Sequence, residues 1–353
     1  MIAYVSLITI FFISGIFFRH IWNKDKAVPA MITIFFIGYL FLLCFRADSV
    51  GADTQSYLYR YFYAFHSIPL KELLQNRTDE LGFVLFVKVL ALLTENGQLF
   101  LAVSALVSVL PIMIFYRKES TEAAVCCSFF MISLLFEFFF SGIRQGIAIG
   151  LAVPAYYYTR QKKLIHFIFI VALAVSFHVS AIMIAFIYPI YHARITSKWL
   201  WFVIPSMTVV YLNRKVVFTL LFELFGGKYF EKYSALTGMT KQYGLLALFI
   251  MLSVYCFIVL DENASQDNLG LRNILLIATM IQFFAPLHSI VSRMNYYFIL
   301  FIPVVITRTN SNCKFKSRQI TRIASFVMTM FFVFYFVFMK GDPLRIMDYS
   351  FCF

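Results

Sequence analysis

The residues able to do chemistry fall in short stretches separated by long apolar runs. The first is Arg46-Ala47-Asp48-Ser49-Val50-Gly51-Ala52-Asp53-Thr54-Gln55-Ser56-Tyr57, and the second is Glu80-Leu81-Gly82-Phe83. The third, Ser141-Gly142-Ile143-Arg144-Gln145, interrupts two apolar runs, and the fourth is Ser176-Phe177-His178-Val179-Ser180. A fifth runs from Pro286-Leu287-His288-Ser289 to Arg293-Met294-Asn295-Tyr296-Tyr297. A guanidinium between two membrane-length segments is costly to bury and stays charged, so Arg144 marks a candidate site. Arg293 repeats that placement, and with Arg46 as a third arginine the set suits a diphosphate. Asp53 can serve as a general base or accept from a hydroxyl, with Asp48 and Glu80 as partners. His178 can donate to a phosphate or take a proton near neutral pH. Carboxylates beside many Tyr and Phe rings suit a carbohydrate, whose ring faces stack on aromatics while its hydroxyls donate to oxygen.

Each of these residues also has a plainer role. Gly51 permits a tight turn, and Asp53-Thr54 can cap a helix suggested by residues 57–65. Arg144 can snorkel to headgroups and anchor a hairpin. His178 can be a hydrogen-bonding residue at a helix end, and the tyrosines of the 222–243 loop, Tyr229, Tyr233 and Tyr243 with Phe230, can form an interfacial belt or a lid.

The elements that position these residues are membrane helices. Of 353 residues 61% are hydrophobic and only 13% charged, whereas a soluble domain is roughly half apolar and a quarter charged. The runs do not alternate, which excludes a porin-type barrel and leaves an all-α, polytopic transmembrane bundle. A span takes about 20 apolar residues, fewer where neighbours or lipid thinning help. The runs read as 2–22, 28–45, 98–116, 122–140, 146–159, 164–177, 179–192, 199–221, 244–260, 273–290, 294–307 and 323–339, about 12 spans. Leu81–Leu93 is too short to cross and is expected as a re-entrant or surface half-helix. With no linker or repeat, residues 1–353 are expected to form one integral membrane domain.

The net charge of +13 sits mainly in short basic clusters between runs. Arg19/Lys24/Lys26, Arg117/Lys118, Arg160/Lys162/Lys163, Arg194/Lys198 and Lys314/Lys316/Arg318/Arg322 fall on one side when the runs alternate, so that side is expected to be cytoplasmic. Nucleic acid is not needed to explain the charge. The candidate stretches then lie outside, as do two larger loops, 46–80 and 222–243. The six cysteines make no CxxC or Cys/His spacing, so no metal site is expected. Residues 1–22 lack a basic start and are expected to stay as the first helix. There is no Walker loop, GxGxxG, HExxH or GxSxG, so no nucleotide cofactor is expected and any leaving group must arrive activated.

The ordered series Arg46…Gly51-Ala52-Asp53-Thr54…Tyr57, Glu80-Leu81-Gly82-Phe83, the run from Phe139 to Ala148 around Ser141-Gly142-Ile143-Arg144-Gln145, and Phe177-His178-Val179-Ser180-Ala181 resembles the EpsG-type polysaccharide polymerases. These are grouped with the Wzy-type O-antigen and exopolysaccharide polymerases of bacteria. Arg293 followed by tyrosines is similar to a later segment of that family. Ala52 stands where a hydroxyl residue is expected, and Gly142 where Asn is common. The resemblance implies a multi-pass protein of the bacterial inner membrane, with its site facing the periplasm. It also implies a glycosyltransferase that moves a growing glycan from undecaprenyl diphosphate onto the non-reducing sugar of a lipid-linked oligosaccharide repeat. On that reading Asp53, His178 and Glu80 are the catalytic candidates. Arg46, Arg144, Gln145 and Arg293 bind substrate, and a chain-length regulator is a further candidate partner. Two alternatives stay open. A lipid-linked-oligosaccharide flippase calls for ionisable residues or broken helices near the bilayer midplane, whereas most ionisable residues here lie at run ends. A glycan ligase differs only in its acceptor.

Overall fold

A computed structural model describes residues 2–75, 79–225, 243–286, 289–313, 342 and 344–353. Their regular secondary structure is helical apart from two isolated β-bridges. They divide into two compact units, Met1–Tyr188 with Ile323–Phe353, and Pro189–Arg322.

The first unit opens with α1 (Ile2–Ile21) and α2 (Lys24–Cys44), separated by Asn23, whose side chain accepts from the Lys26 amide. The stretch that follows α2 is folded rather than loose. It holds a π-helical turn (Ser56–Tyr63), α3 (Ala64–Ser67) and α4 (Leu70–Gln75). Next come α5 (Leu81–Leu93) and α6 (Gly97–Glu119), the latter capped by Asn96. The 122–140 run is broken by Ser133 into α7 (Ala123–Ile132) and α8 (Leu134–Phe138). The next run is α9 (Ile143–Gly150) and α10 (Ala152–Arg160), followed by α11 (Leu164–Phe177), a 3-10 helix (Val179–Phe186) and α12 (Ile187–His192).

Aromatic packing holds the unit's centre. Tyr39, Phe35, Phe36, Tyr116 and Phe130 are all fully buried and meet edge to face, and the Tyr39 hydroxyl donates to the Phe136 carbonyl at 2.7 Å. A Cβ at Gly150 would lie 2.6 Å from the Ser108 carbonyl, so glycine is what lets α9 seat against α6.

In the second unit, α13 (Ser197–Leu212) and α14 (Arg214–Phe225) precede α15 (Tyr243–Val259), α16 (Gln266–Gln282), α17 (Ser289–Ile299) and α18 (Ile302–Ser311). Polar groups tie its helices together. Ser253 and Thr279 share a 2.7 Å hydrogen bond, Asn295 donates to Gln282 at 3.0 Å, and Arg308 pairs with Asp267 at 2.6 Å.

The fold is all-α, as the composition requires, but the elements are shorter than the runs. Among the described residues, α2 and α6 alone are long and apolar enough to cross a membrane unaided, and α17 with α18 are so only as a pair, bent by 40° at their break as a broken span or a re-entrant loop. The apolar part of α1 is Ile2–Phe18, and the other described apolar runs fold as pairs of short helices or as helices under 18 residues. Leu81–Leu93 is a helix with the expected bounds, about 20 Å long and short of a bilayer core. The run at 323–339, the basic residues Lys314, Lys316, Arg318 and Arg322, and Tyr229, Phe230, Tyr233 and His288 lie outside the described residues.

Candidate active site

The turn between α8 and α9 is the seat of the site. The amides of Ser141 and Gly142 both donate to the Phe138 carbonyl, at 2.9 and 2.8 Å, and close the turn. A side chain at position 142 would strike the Phe138 ring, with a Cβ 2.1 Å from it, which explains glycine there. The stretch after α2 docks directly on this turn. Gly51 has φ +93°, and a Cβ on it would lie 2.0 Å from the Phe140 carbonyl oxygen. Thr54 Oγ1 shares its proton between the carbonyls of Val50 (2.7 Å) and Phe140 (3.1 Å).

This docking brings Asp53 to Ser141. The Asp53 amide donates to Ser141 Oγ at 3.1 Å, and that hydroxyl donates back to Asp53 Oδ2 at 2.9 Å. Ser141 is buried while Asp53 is exposed. The carboxylate is therefore fixed through one oxygen and open at the other. Asp53 stands at the start of the helix, its carbonyl accepting from the Tyr57 amide at 3.0 Å, while its carboxylate is turned toward Ser141.

Three residues on, Arg144 opens α9 and meets a second pair of carboxylates. Its Nη1 donates to Asp79 Oδ1 at 2.5 Å and to Glu80 Oε2 at 3.0 Å, and its guanidinium carbon lies 5.8 Å from the Tyr61 ring and 5.5 Å from that of Phe83. The Tyr61 hydroxyl also donates to Asp79, at 3.3 Å. Tyr57 interacts with the same guanidinium. Burial raises the Tyr57 and Tyr61 phenols above their ordinary range against the pull of the Arg144 charge, so both stay protonated donors. Among the described residues, one guanidinium is thus shared between two carboxylates.

Glu80 links this cluster to the fourth stretch. Its Oε1 accepts from the Val179 amide at 3.1 Å, at the start of the 3-10 helix. His178 Nδ1 caps the same helix, accepting from the Ser180 amide at 3.3 Å and meeting Ser180 Oγ at 2.8 Å. Gly82 makes the approach possible, since a Cβ there would lie 2.2 Å from Ser176 Oγ.

The structure thus gathers Asp53, Glu80, Arg144 and His178 around the ends of α5, α9 and α11. Arg46 and Gln145 go elsewhere. Arg46 is 1% exposed and turned beneath the turn, where Nη1 donates to the Leu43 carbonyl at 2.6 Å. It lines a cavity of about 10 Å³, room for roughly one water, with Ser104, Ser108, Phe139, Gly142 and Ile143. Gln145 is 3% exposed. Neither presents its side chain at the surface. Asp48 accepts from the Tyr59 hydroxyl at 3.3 Å. Arg293 lies exposed on α17, in the second unit. Asp79 and Ser141 are the partners that the sequence did not single out. The acidic pair Asp79-Glu80 was the available signal for the first. Nothing local marks Ser141, whose partner is 88 residues away.

A known family matches nearly the whole chain: the EpsG family model covers residues 29–351. The chain belongs to the EpsG family. No curated protein and no solved structure gives a significant match. EpsG membership, together with the apolar helices, makes this a membrane protein of polysaccharide-polymerase type, and every feature of the first unit's site lies inside the matched residues.

Proposed function

We infer that this EpsG-family protein polymerises lipid-diphosphate-linked oligosaccharide repeats, with undecaprenyl diphosphate as the carrier, at the outer face of the bacterial inner membrane. The observation that carries the reading is the Asp53 carboxylate, held by Ser141 through one oxygen and open at the other, three residues of turn away from the Arg144 cluster. In the step itself, Asp53 takes the proton of an acceptor sugar hydroxyl while that oxygen forms a bond to the anomeric carbon of the donor glycan. The anomeric carbon–oxygen bond to the diphosphate breaks, and the lipid diphosphate leaves with the electron pair. Arg144 then meets the leaving diphosphate by exchanging one of its two carboxylates for a phosphate oxygen, a trade between ligands of like charge that the planar guanidinium can make. Exposed Tyr59 and Tyr63, with ring centroids 5.5 Å apart, offer a stacking face for sugar rings. Arg46 and Gln145, both buried, support the turn and do not touch substrate.

Purified protein supplied with lipid-linked repeats tests this directly. A ladder of longer lipid-linked glycans, with release of lipid diphosphate, is expected; unchanged single repeats would refute it.

A transporter of the same lipid-linked repeats is the second reading. It is favoured by the 40° break between α17 and α18 and by buried Arg272, Asn273, Gln282 and Asn295 in the second unit. Deleting the gene separates the two, since single-repeat surface glycan marks loss of a polymerase and absence of any outer-leaflet repeat marks loss of a transporter.

A further inference from the structure

Residues 344–353 lie far from the candidate site in sequence and directly against it in space. Phe351 bridges antiparallel to Arg46, with the Ala47 amide donating to the Ser350 carbonyl (2.9 Å) and the Cys352 amide to the Phe45 carbonyl (3.0 Å). Further along, the Gly51 amide donates to the Arg345 carbonyl (3.1 Å) and the Ala52 amide to the Leu344 carbonyl (2.9 Å). The same segment therefore grips the stretch after α2 at two places, the second immediately before Asp53.

Its own shape is fixed independently. Asp342 accepts from the amides of Ile346 (2.9 Å) and Met347 (2.8 Å), one to each carboxylate oxygen, and so builds the turn in which Arg345 takes φ +53°. That turn aims the Leu344 and Arg345 carbonyls at the Gly51–Ala52 backbone. The segment is anchored to the helices as well. Tyr4 donates to the Ile346 carbonyl (2.8 Å), Tyr349 donates to the Leu42 carbonyl (2.9 Å), and the Tyr349 ring meets those of Tyr4 and Phe140. Gly51 cannot settle by itself in one conformation, because glycine has the widest backbone freedom of any residue. Two amide hydrogen bonds to a rigid partner remove that freedom at the position that sets the direction of Asp53.

We propose that Asp342 and residues 344–353 are a positioning element of the site: the turn that Asp342 builds holds the Gly51–Ala52 backbone so that Asp53 meets Ser141 and presents its open oxygen to the acceptor hydroxyl. The proposal rests on the polymerase reading given above. It makes the segment a static part of the active form, not a cover that must lift.

Two measurements on the full-length protein test it. In Asp342→Ala, amide hydrogen exchange across residues 47–52 is expected to rise, and turnover to fall about ten- to hundredfold, because small misplacements of a reacting group are that costly. KM should change little, since the step lost is positioning and not binding. Asp342→Asn keeps one acceptor oxygen and should recover part of the turnover. Faster exchange with unchanged turnover, or exchange that does not rise, overturns the proposal. In the second measurement, Phe41→Cys and Phe351→Cys are introduced together with the native cysteines replaced. The two rings meet with centroids 5.9 Å apart, so the side chains face each other as a disulfide requires. The oxidised, tethered protein is expected to polymerise as well as the reduced one. Activity lost on oxidation and restored by reductant overturns the proposal, because the segment would then have to leave. This arm does not depend on how well Asp342→Ala folds. A wild-type protein that makes no polymer would instead refute the underlying reading and the proposal with it, whereas the exchange result can fail by itself.

Discussion

Replacing Asp53 with asparagine separates chemistry from structure at the candidate base. The contacts of Asp53 are few and specific: its amide donates to Ser141 Oγ at 3.1 Å, and its Oδ2 accepts from that hydroxyl at 2.9 Å. Asparagine keeps the backbone donor, and its amide oxygen can accept from Ser141 in the same place. The structural change is the loss of the carboxylate charge on one partly exposed hydrogen bond, about 1 kcal/mol. An amide, however, takes up no useful proton. Removing a general base costs about 10²–10⁴-fold, and at 1.36 kcal/mol per decade this is about 2.7–5.4 kcal/mol of barrier. The catalytic loss therefore exceeds the structural one severalfold. Membrane abundance and thermal stability of Asp53→Asn should stay close to wild type while turnover on purified lipid-linked repeats falls at least about 100-fold. Ser141→Ala keeps the carboxylate but frees its direction, and should land between the two. Wild-type turnover in Asp53→Asn would refute the assignment and move the base to Glu80 or His178.

Arg144→Lys should be nearly as damaging to polymerisation as Arg144→Ala, because a lysine loses the planar group that Asp79 and Glu80 share and that the Tyr61 and Phe83 rings face. Adding Asp79→Asn to Arg144→Ala relieves the uncompensated carboxylates; if that double variant regains turnover on lipid-linked repeats, Arg144 is only a structural counter-ion. His178→Asn preserves an acceptor for the Ser180 amide, so it should cost under about 1 kcal/mol of stability and leave most of the activity. A dead but well-folded His178→Asn protein would make the imidazole catalytic. Single cysteines at Gln55 should react with an impermeant reagent from outside, and those at Lys118 or Lys162 should not, in a background without native cysteines. The reverse pattern would put the whole site on the cytoplasmic face.

Much of the fold was legible because membrane helices announce themselves. Every described backbone group in hydrocarbon must be satisfied within its own segment, so long non-alternating apolar runs leave only helices. α5 begins and ends at the expected residues because Glu80 and Thr94 bound a stretch that is apolar but for Lys88. The break after Gly150 has a signal in the sequence, Pro154, which cannot donate to the Gly150 carbonyl and crowds it; the break at Ser133, where the backbone turns extended, has none, since serine does not stop a helix by itself. α16 starts at Gln266 instead of near 273 because its first turns are polar and carry Asp267 and Arg272, which an apolar reading passes over.

The candidate site divides in the same way. Residue type alone marked Asp53, Glu80, Arg144 and His178, for carboxylates, a guanidinium and an imidazole beside apolar runs are chemically conspicuous. It equally marked Arg46 and Gln145, which the fold buries, since sequence spacing does not say toward which side of a turn a side chain points. The pairings come from contacts across 88 residues for Asp53 with Ser141, 65 for Arg144 with Asp79, and 99 for Glu80 with Val179. Residues 344–353 carry no motif, yet the carbonyls of Leu344 and Arg345 accept from the Ala52 and Gly51 amides beside Asp53. Backbone carbonyls and amides are the same at every position, so no sequence pattern could reveal those bonds. Only the chain's return to the stretch after α2 decides them.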